Sequence, residues 1–407
     1  MLGKTGFWWG MWLVYYRSDY KLGARGEATF LIPQAALPYD AVPSPASCRP
    51  NQGLASITAR RFGPRKRLGR IYMSIGGEKA LLLAVMRNEG PYIIEWMAHH
   101  FALGIDDLLV FTNFCTDNTD KILDRIEEIW PHRVKHQPNP KVMFPKQGKW
   151  LIMALRFAGH FGRYQSAPWV YTTDPDEFLN FTGDIETFDD FFAKTGDADV
   201  VSFTSIAFNS GGHKHAKDEL VTKMYTQTAA DLATAAVENR EVLTAVKTLY
   251  RNKVQGARRP HRPVTHDFSQ QGFKWINGSG QTMPPEFTDS AYKAIASNGT
   301  RDYAQINHYS IKSAEEFILK VDRGDGGQND RVGESARYWN TANRQGNMDT
   351  RGVGLSAAAR EIYDFLMADA KLKALYDECL ELRHARFTEI MATESGQELG
   401  RITGYYD

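Results

Sequence analysis

Three cysteines in 407 residues, Cys48, Cys115 and Cys379, are too few and too widely spaced for a disulfide framework or a zinc-binding motif. A reducing compartment is the simpler reading. The chain also lacks a charge of one sign: its formal net charge of +1 sets up no global field to attract DNA, RNA or an acidic membrane. Nucleic acid is therefore not an expected partner. The aromatic run Phe7 to Tyr16 is too short to cross a bilayer, which takes about 20 apolar residues, and no small-residue cleavage site follows it promptly as in a signal peptide. Neither a phosphate-binding string ending in Gly-Lys-Ser/Thr nor a serine nucleophile elbow is present. No internal repeat is found.

What is present is an ordinary globular composition, 43% hydrophobic and 24% charged, with enough apolar material for a sizeable core. The organisation reads as three segments: 1–79 as a linker-like or poorly ordered N-terminal stretch, 80–325 as the main domain, and 326–407 as a mainly helical C-terminal extension. Leu31 to Arg70 is rich in Pro, Ala and Ser and ends in a basic string, Arg60-Arg61-Phe62-Gly63-Pro64-Arg65-Lys66-Arg67. Met73 directly precedes the first organised strand, so a start there is an open alternative. The Phe7 to Tyr16 run, flanked by Lys4 and Arg17, is a candidate for peripheral membrane contact; the expected location is cytoplasmic, at most on the inner face of a membrane.

From Ala80 the pattern alternates. Leu81 to Met86 reads as a strand buried on both faces, and Pro91 opens a helix whose apolar face is Ile93, Ile94, Met97 and Phe101, stopped by Gly104. Leu108 to Phe111 is a second strand, followed by a helix bearing Ile122, Leu123, Ile126 and Ile129 that ends at Pro131. A short strand near Val134 follows, then a helix from Trp150 to Phe161, a strand from Trp169 to Thr173, a helix from Ile185 to Phe192 and a strand from Val200 to Phe208. The alternation predicts an α/β fold with a mostly parallel central sheet flanked by helices. Beyond Phe208 the spacing predicts an Ala-rich helix from Thr228 to Glu238, a strand at Val246 to Tyr250, loops at Arg258 to Pro263 and Asn277 to Pro285, a strand at Tyr303 to Ile306 delivering His308, and continuous helix from Ser356 to Ala392.

In open α/β sheets ligands gather at the carboxyl ends of parallel strands, and Asp174-Pro175-Asp176-Glu177-Phe178 stands there, behind the Trp169 to Thr173 strand. Three carboxylates in four residues repel one another unless a positive charge neutralises them. A hard divalent cation, Mg²⁺ or Mn²⁺, bridging substrate phosphates is the natural candidate. The same string is also good capping chemistry for a solvated turn. Its position between buried elements favours the metal.

This cluster resembles the Asp-any-Asp signature of GT-A-fold glycosyltransferases, in the Asp-any-Asp-Glu-Phe form of family-2-like and family-92-like enzymes, among them bacterial cell-surface polysaccharide enzymes. Other strings fall in the same order. Val85-Met86-Arg87-Asn88-Glu89-Gly90-Pro91-Tyr92 with Glu95-Trp96, His99-His100 and Leu103-Gly104 is similar to the family's first strand, turn and helix. Thr112-Asn113-Phe114-Cys115-Thr116-Asp117-Asn118-Thr119 resembles its second turn, with Thr112 and Cys115 where Asp and Ser are common. Phe208-Asn209-Ser210-Gly211-Gly212-His213, His261-Arg262-Pro263, Asn307-His308-Tyr309, Lys312-Ser313 and Glu315-Glu316-Phe317 follow. The likeness runs from about Leu81 to Gly324.

The resemblance implies a GT-A-like fold, a nucleotide-diphosphate sugar donor, a Mn²⁺ or Mg²⁺ cofactor, and transfer to a carbohydrate or lipid-linked hydroxyl with inversion. It implies Asp176 as direct metal ligand, Asp174 on the ribose or reaching the metal through water, Glu177 orienting the acceptor or bracing the loop, and His308 as a further ligand or phosphate contact. Arg87, Asn88 and Glu89 after the first strand, Asn113 and Asp117 after the second, and Lys149 before a helix are the donor-binding candidates, with Lys146 beside it. For the acceptor, Ser210, Gly211 and His213 would allow close backbone approach, and Trp275 has the character of a carbohydrate-loop aromatic. The catalytic base is open among Asp218, Glu219, Asp267, Glu286 and Asp330. The alternatives are a metal-dependent phosphohydrolase or nucleotidyltransferase, and a catalytically silent carbohydrate-binding protein of the same fold.

Overall fold

A computed structural model describes residues 74–406 except 147, 255, 257, 265–267 and 325–331. The expectations for Phe7 to Tyr16, Leu31 to Arg70, Met73, Asp267 and Asp330 therefore lie outside the described residues.

The alternation read from Ala80 onward is present: β1 (Ala80–Met86), α1 (Gly90–Ala102), β2 (Asp107–Thr112), α2 (Thr119–Ile129), β3 (Val134–Pro138), α3 (Trp150–Ala158), β4 (Trp169–Thr172), β5 (Glu177–Phe181), α4 (Phe188–Thr195) and β6 (Val200–Ala207). β7 (Leu243–Arg251), β8 (Trp275–Asn277), β9 (Ala294–Ala296) and β10 (Ala304–His308) complete a ten-stranded sheet. Five helices end the described chain: α5 (Ala314–Arg323), α6 (Val332–Ala342), α7 (Ala357–Met367), α8 (Ala370–Met391) and α9 (Glu394–Thr403). This is an α/β architecture with a central sheet between helices, consistent with a GT-A-like fold.

The main strand order is β3-β2-β1-β4-β7-β6-β10-β5, with β8 beside β6 and β9 beside β7. Five of the nine pairings are parallel; β7 and β5 run against their neighbours. The antiparallel β7 wedges between β4 and β6, which the local pattern gave no means to foresee. β1 is apolar on both sides because both are covered. Leu82, Ala84 and Met86 join the core under α1 and α2, while Leu81 and Leu83 join a second core with Ile152 and Leu155 of α3. The C-terminal helices share the first core through Ile362, Leu366, Leu372, Tyr376 and Cys379.

Three local readings change. The Ala-rich stretch is helical only over Leu232–Val237. The α4 helix starts at Phe188, not Ile185, because Thr187 and Asp190 form a reciprocal capping box. The predicted continuous C-terminal helix breaks at Asp369, whose carboxylate accepts from Leu372 N at 2.9 Å to start α8 and is gripped by Arg125 Nη2 at 2.6 Å.

Candidate functional site

The chain leaves β4 in a turn set by Pro175. Glu177 N donates to Asp174 O at 3.1 Å, the bond that closes a four-residue turn with proline at its second position. A turn brings its end Cα atoms within about 7 Å. Yet β4 and β5 stand four places apart in the sheet order, which at ~4.8 Å per strand would be far wider if the sheet were flat. The second half of the sheet must curl toward the first. The turn sits at that fold, pinned by Trp96 Nε1 donating to Glu177 O at 3.0 Å and by Tyr309 N donating to Asp176 O at 2.8 Å.

The three acids separate into two environments. Asp174 and Glu177 belong to Lys247 of β7, whose Nζ lies 2.6 Å from Asp174 Oδ2 and 3.0 Å from Glu177 Oε2 and is 1% exposed. Glu177 Oε2 also accepts from Thr173 Oγ1 at 3.0 Å and Asp174 N at 3.1 Å, so this carboxylate braces the turn. All three contacts fall on Oε2 and engage the carboxylate with the turn itself. Burial disfavours the Lys247 charge, but the two carboxylates outweigh it and hold the ammonium above its usual range.

Asp176 faces the other way. Its Oδ1 lies 3.5 Å from His308 Nε2, since His308 is the residue opposite Glu177 in the β5–β10 register, and its Oδ2 accepts from Lys320 Nζ of α5 at 2.8 Å. Burial alone would raise the Asp176 carboxyl, and burial alone would lower His308. Lys320 and His308 instead hold the acid well below the usual carboxylate range, and Asp176 lifts the imidazole above its own. An oxygen and an imidazole nitrogen converging on one point suit Mn²⁺ or Mg²⁺ as a two-ligand set. Among the described residues no cluster of three or more His, Cys, Asp or Glu is placed to hold a metal. A cation on Asp176 and His308 would complete its shell from phosphate oxygens and water. Asp174, bound to Lys247, is not drawn into that pair.

Cations to which the sequence reading gave no role stand near Asp176. Lys320 is one. Lys312 is buried with its backbone in the left-handed region at φ +56°, and its ammonium lies over the Tyr92 ring at 4.1 Å. Burial lowers Lys312 from the usual lysine range, with Glu89 and Asp176 pulling the other way. Arg323 pairs with Glu89 at 2.5 Å and donates to Arg87 O, tying α5 to the β1–α1 turn. Next to them Glu316 accepts from Tyr92 OH at 2.6 Å and from Tyr225 OH; burial acts to raise it, but Arg383 and Lys312 hold it at about 2. Lys312 and the Glu315-Glu316-Phe317 string were legible as part of an ordered resemblance. Lys247 and Lys320 carried no local signal.

The remaining candidates divide sharply. Asn88, at φ +52°, exchanges two hydrogen bonds with Thr116 and so ties the first turn to the second. Glu89 is held by Arg323. Asp117 is corrected from a nucleobase contact to a structural residue: Oδ1 accepts from Thr119 N and Oγ1, and Oδ2 from Gly90 N at 3.2 Å, securing the starts of α2 and α1. Asn113 lies buried just beyond β2, and Lys149 is exposed at the start of α3. Arg87 has its Nε buried without a hydrogen-bond partner, an orphan donor beside the cleft cations.

On the acceptor side, Trp275 is a correction. It lies on β8, 1% exposed, donating to Ser202 Oγ at 2.9 Å, with the Arg262 guanidinium stacked on its ring at 4.3 Å. A fully packed indole offers no face to a sugar. Arg262 of the His261-Arg262-Pro263 string is likewise structural, donating to the carbonyls of Phe287 and Thr288. Ser210 is buried, and its N donates to Asn343 Oδ1 at 3.0 Å; Gly211 and Gly212 take φ of +59° and +77°, so glycine is required by the turn itself. His213 packs its ring against Tyr225 and passes its carbonyl to Ala314 N. Of the base candidates, Asp218 accepts from Tyr376 OH at 2.7 Å, Glu219 pairs with Lys223 at 2.8 Å, and Glu286 is exposed on a short helical turn.

No protein-family model matches the sequence, and no curated protein does. Among solved structures, the chain is similar to the mannosyltransferase Ktr4p of S. cerevisiae at 14% identity, over 36% of this chain and 44% of that one, with a TM-score of 0.23. It is similar to the mannosyltransferase PcManGT of Pyrobaculum calidifontis, solved with GDP-Man and Mn²⁺, at 12% identity over 84% and 88% with a TM-score of 0.27. It is similar to TarS of S. aureus at 16% identity over 81% and 49%, also with a TM-score of 0.27. The chain thus spans less than half the length of Ktr4p and about half that of TarS. Scores this low fall short of a shared fold and add no weight to the site.

Proposed function

We propose that the chain is a glycosyltransferase that moves a sugar from a nucleotide-diphosphate donor to a hydroxyl of a carbohydrate or lipid-linked acceptor, with inversion, in polysaccharide assembly. The reading rests on one observation: Asp176 and His308 converge across the β5–β10 register with the partly exposed Lys320 on the acid and the buried Lys312 nearby. A lone acid–histidine pair would need no Lys312 and Lys320 beside it. A site that must hold two phosphates does.

In this reading Asp176 and His308 would hold Mn²⁺ or Mg²⁺, which would supply positive charge against a departing diphosphate. Lys320 leaves Asp176 for a phosphate oxygen, and Lys312, short of counter-charge in its buried position, takes another. The orphan Nε of Arg87 supplies a directed donor to the same group. Asn113, at the end of β2, offers its amide to the nucleobase, and Lys149 stands at the rim. Lys247 keeps Asp174 and Glu177 fixed, so that Asp176 is presented at a constant height; Asp174 retains one free oxygen toward a ribose. The described chain has no helix long and apolar enough to cross a membrane, and a cytoplasmic site with its acceptor at the inner membrane face is the setting we propose.

The test is incubation of the full chain with UDP-, GDP- and CDP-sugars and Mn²⁺. Release of nucleoside diphosphate with a glycosylated product is expected. Nucleoside monophosphate or free phosphate would instead mark a phosphohydrolase or nucleotidyltransferase, and no Mn²⁺-dependent nucleotide binding by folded protein would leave only a silent binding protein.

A further inference from the structure

Between Ile129 and Thr173 the chain carries seven Lys and Arg and no Asp or Glu, in a protein whose net charge is only +1. Lys135 pairs with Glu127 and Arg163 with Asp107, acids of neighbouring elements. The segment after β3 then exposes apolar side chains in the middle of this basic stretch. Met143 is 77% exposed, with Val142 and Phe144 also exposed beside it, and exposed Lys146 and Lys149 follow. Phe114, beyond the end of β2, is 58% exposed and meets the Trp150 ring at 5.4 Å.

This surface is built, not frayed. Asn139, buried, accepts from Lys141 N at 3.0 Å and donates to Trp150 O at 3.2 Å, and Lys141 Nζ donates to Pro145 O at 2.7 Å, closing the loop on itself. Phe114 holds φ +49°, a strained backbone for an aromatic residue, while leaving its ring in solvent. Strain and order maintained to expose apolar side chains call for an apolar partner. Lysines before and after that tip, Lys141 on one side and Lys146 and Lys149 on the other, with Trp150 next, make the pattern of a segment resting in the headgroup layer of an anionic bilayer. Met143, the most exposed of these side chains, has no ring on which a base could stack.

We infer that the exposed side chains of Val142, Met143, Phe144 and Lys146, with Phe114 and Lys149, form a docking surface for an anionic lipid bilayer. It lies at the carboxyl ends of parallel strands β2 and β3, and the Asp174–Glu177 turn leaves the carboxyl end of β4, parallel to them through β1. Docking there would bring the acid turn to the same side as the lipid surface. The inference does not depend on the transfer reading, because it concerns vesicle binding alone.

The experiment is co-sedimentation of the full chain with vesicles of phosphatidylcholine containing phosphatidylglycerol, and with vesicles of phosphatidylcholine alone. Binding to the anionic vesicles only, released by raised salt, is expected. The double variant Met143→Asp/Phe144→Asp should partition at least about tenfold more weakly with its thermal midpoint unchanged, since both residues are exposed. Lys146→Ala should cost about fivefold by itself. Equal binding to both vesicle types, retention of duplex DNA without vesicle binding, or wild-type partitioning by the double variant would each overturn it; the last would move the contact to another segment such as Phe7 to Tyr16.

Discussion

Asp176 and Asp117 are about equally buried, at 6% and 7% exposure, yet they behave as different kinds of residue. Asp117 draws its main partners from Gly90 and Thr119, groups at the starts of two helices, and its oxygens are consumed in holding the β1–α1 and β2–α2 turns together. Asp176 draws its partners from His308 and Lys320, charges brought from far along the chain to one carboxylate. Burial does not distinguish a structural acid from a ligand-ready one. The kind of partner does: backbone N–H groups have nowhere else to go, whereas a lysine or histidine can exchange a carboxylate for a phosphate or a metal.

The comparison breaks most directly through Asp176→Ala. Nucleoside diphosphate release should fall by about a thousandfold, on the order of 4 kcal/mol in transition-state stabilisation, with the urea midpoint little changed because Lys320 is partly exposed. Unchanged turnover would move the site elsewhere. Lys247→Met tests the opposite face of the same turn. It leaves Glu177 buried without its counter-charge, and unfolding stability should drop by about 3–4 kcal/mol, read from denaturant titration.

The strand behind the turn is sharpened by pH. His99 donates from Nε2 to Leu179 O of β5 at 2.6 Å, and burial lowers its pKa from 6.5 to about 4. The folded state then binds fewer protons than the unfolded one, so this stability is intact above about 6.5 and is lost as pH falls toward 4, by on the order of 3 kcal/mol. His99→Gln, which can still donate but does not titrate, should flatten that part of the stability curve; a parallel acid profile in the variant would refute the assignment. The smallest effect is expected from Asp117→Ala. Stability should fall by about 2 kcal/mol for the lost buried hydrogen bonds, with the donor KM unaltered. A raised KM would return Asp117 to the nucleotide site.

Much of the frame was readable along the chain. β1 and β2 announced themselves because double-faced burial demands continuous apolar runs such as Leu81 to Met86, and α1 and α2 through their apolar faces. The acid cluster was legible because three carboxylates after a strand are costly unless neutralised. β5 was hidden, since Glu177 begins it and was read as part of the acid cluster; Trp275 was read as a loop residue because β8 is only three residues long.

By itself, then, the sequence determined where the strands and helices lie up to β6 apart from β5, that an acid-rich turn follows β4, and that His308 arrives late on a strand. Each depends on contacts within a few residues, or on a periodicity set by burial. Only the tertiary structure decided which acid is available. Lys247 reaches Asp174 across 73 positions and Lys320 reaches Asp176 across 144. The antiparallel entry of β7 between β4 and β6 sets the first pairing, and the return of β10 beside β5, leading into α5, sets the second. Charge neutralisation at that distance is fixed by strand order, and strand order is a property of the whole sheet that no local pattern encodes.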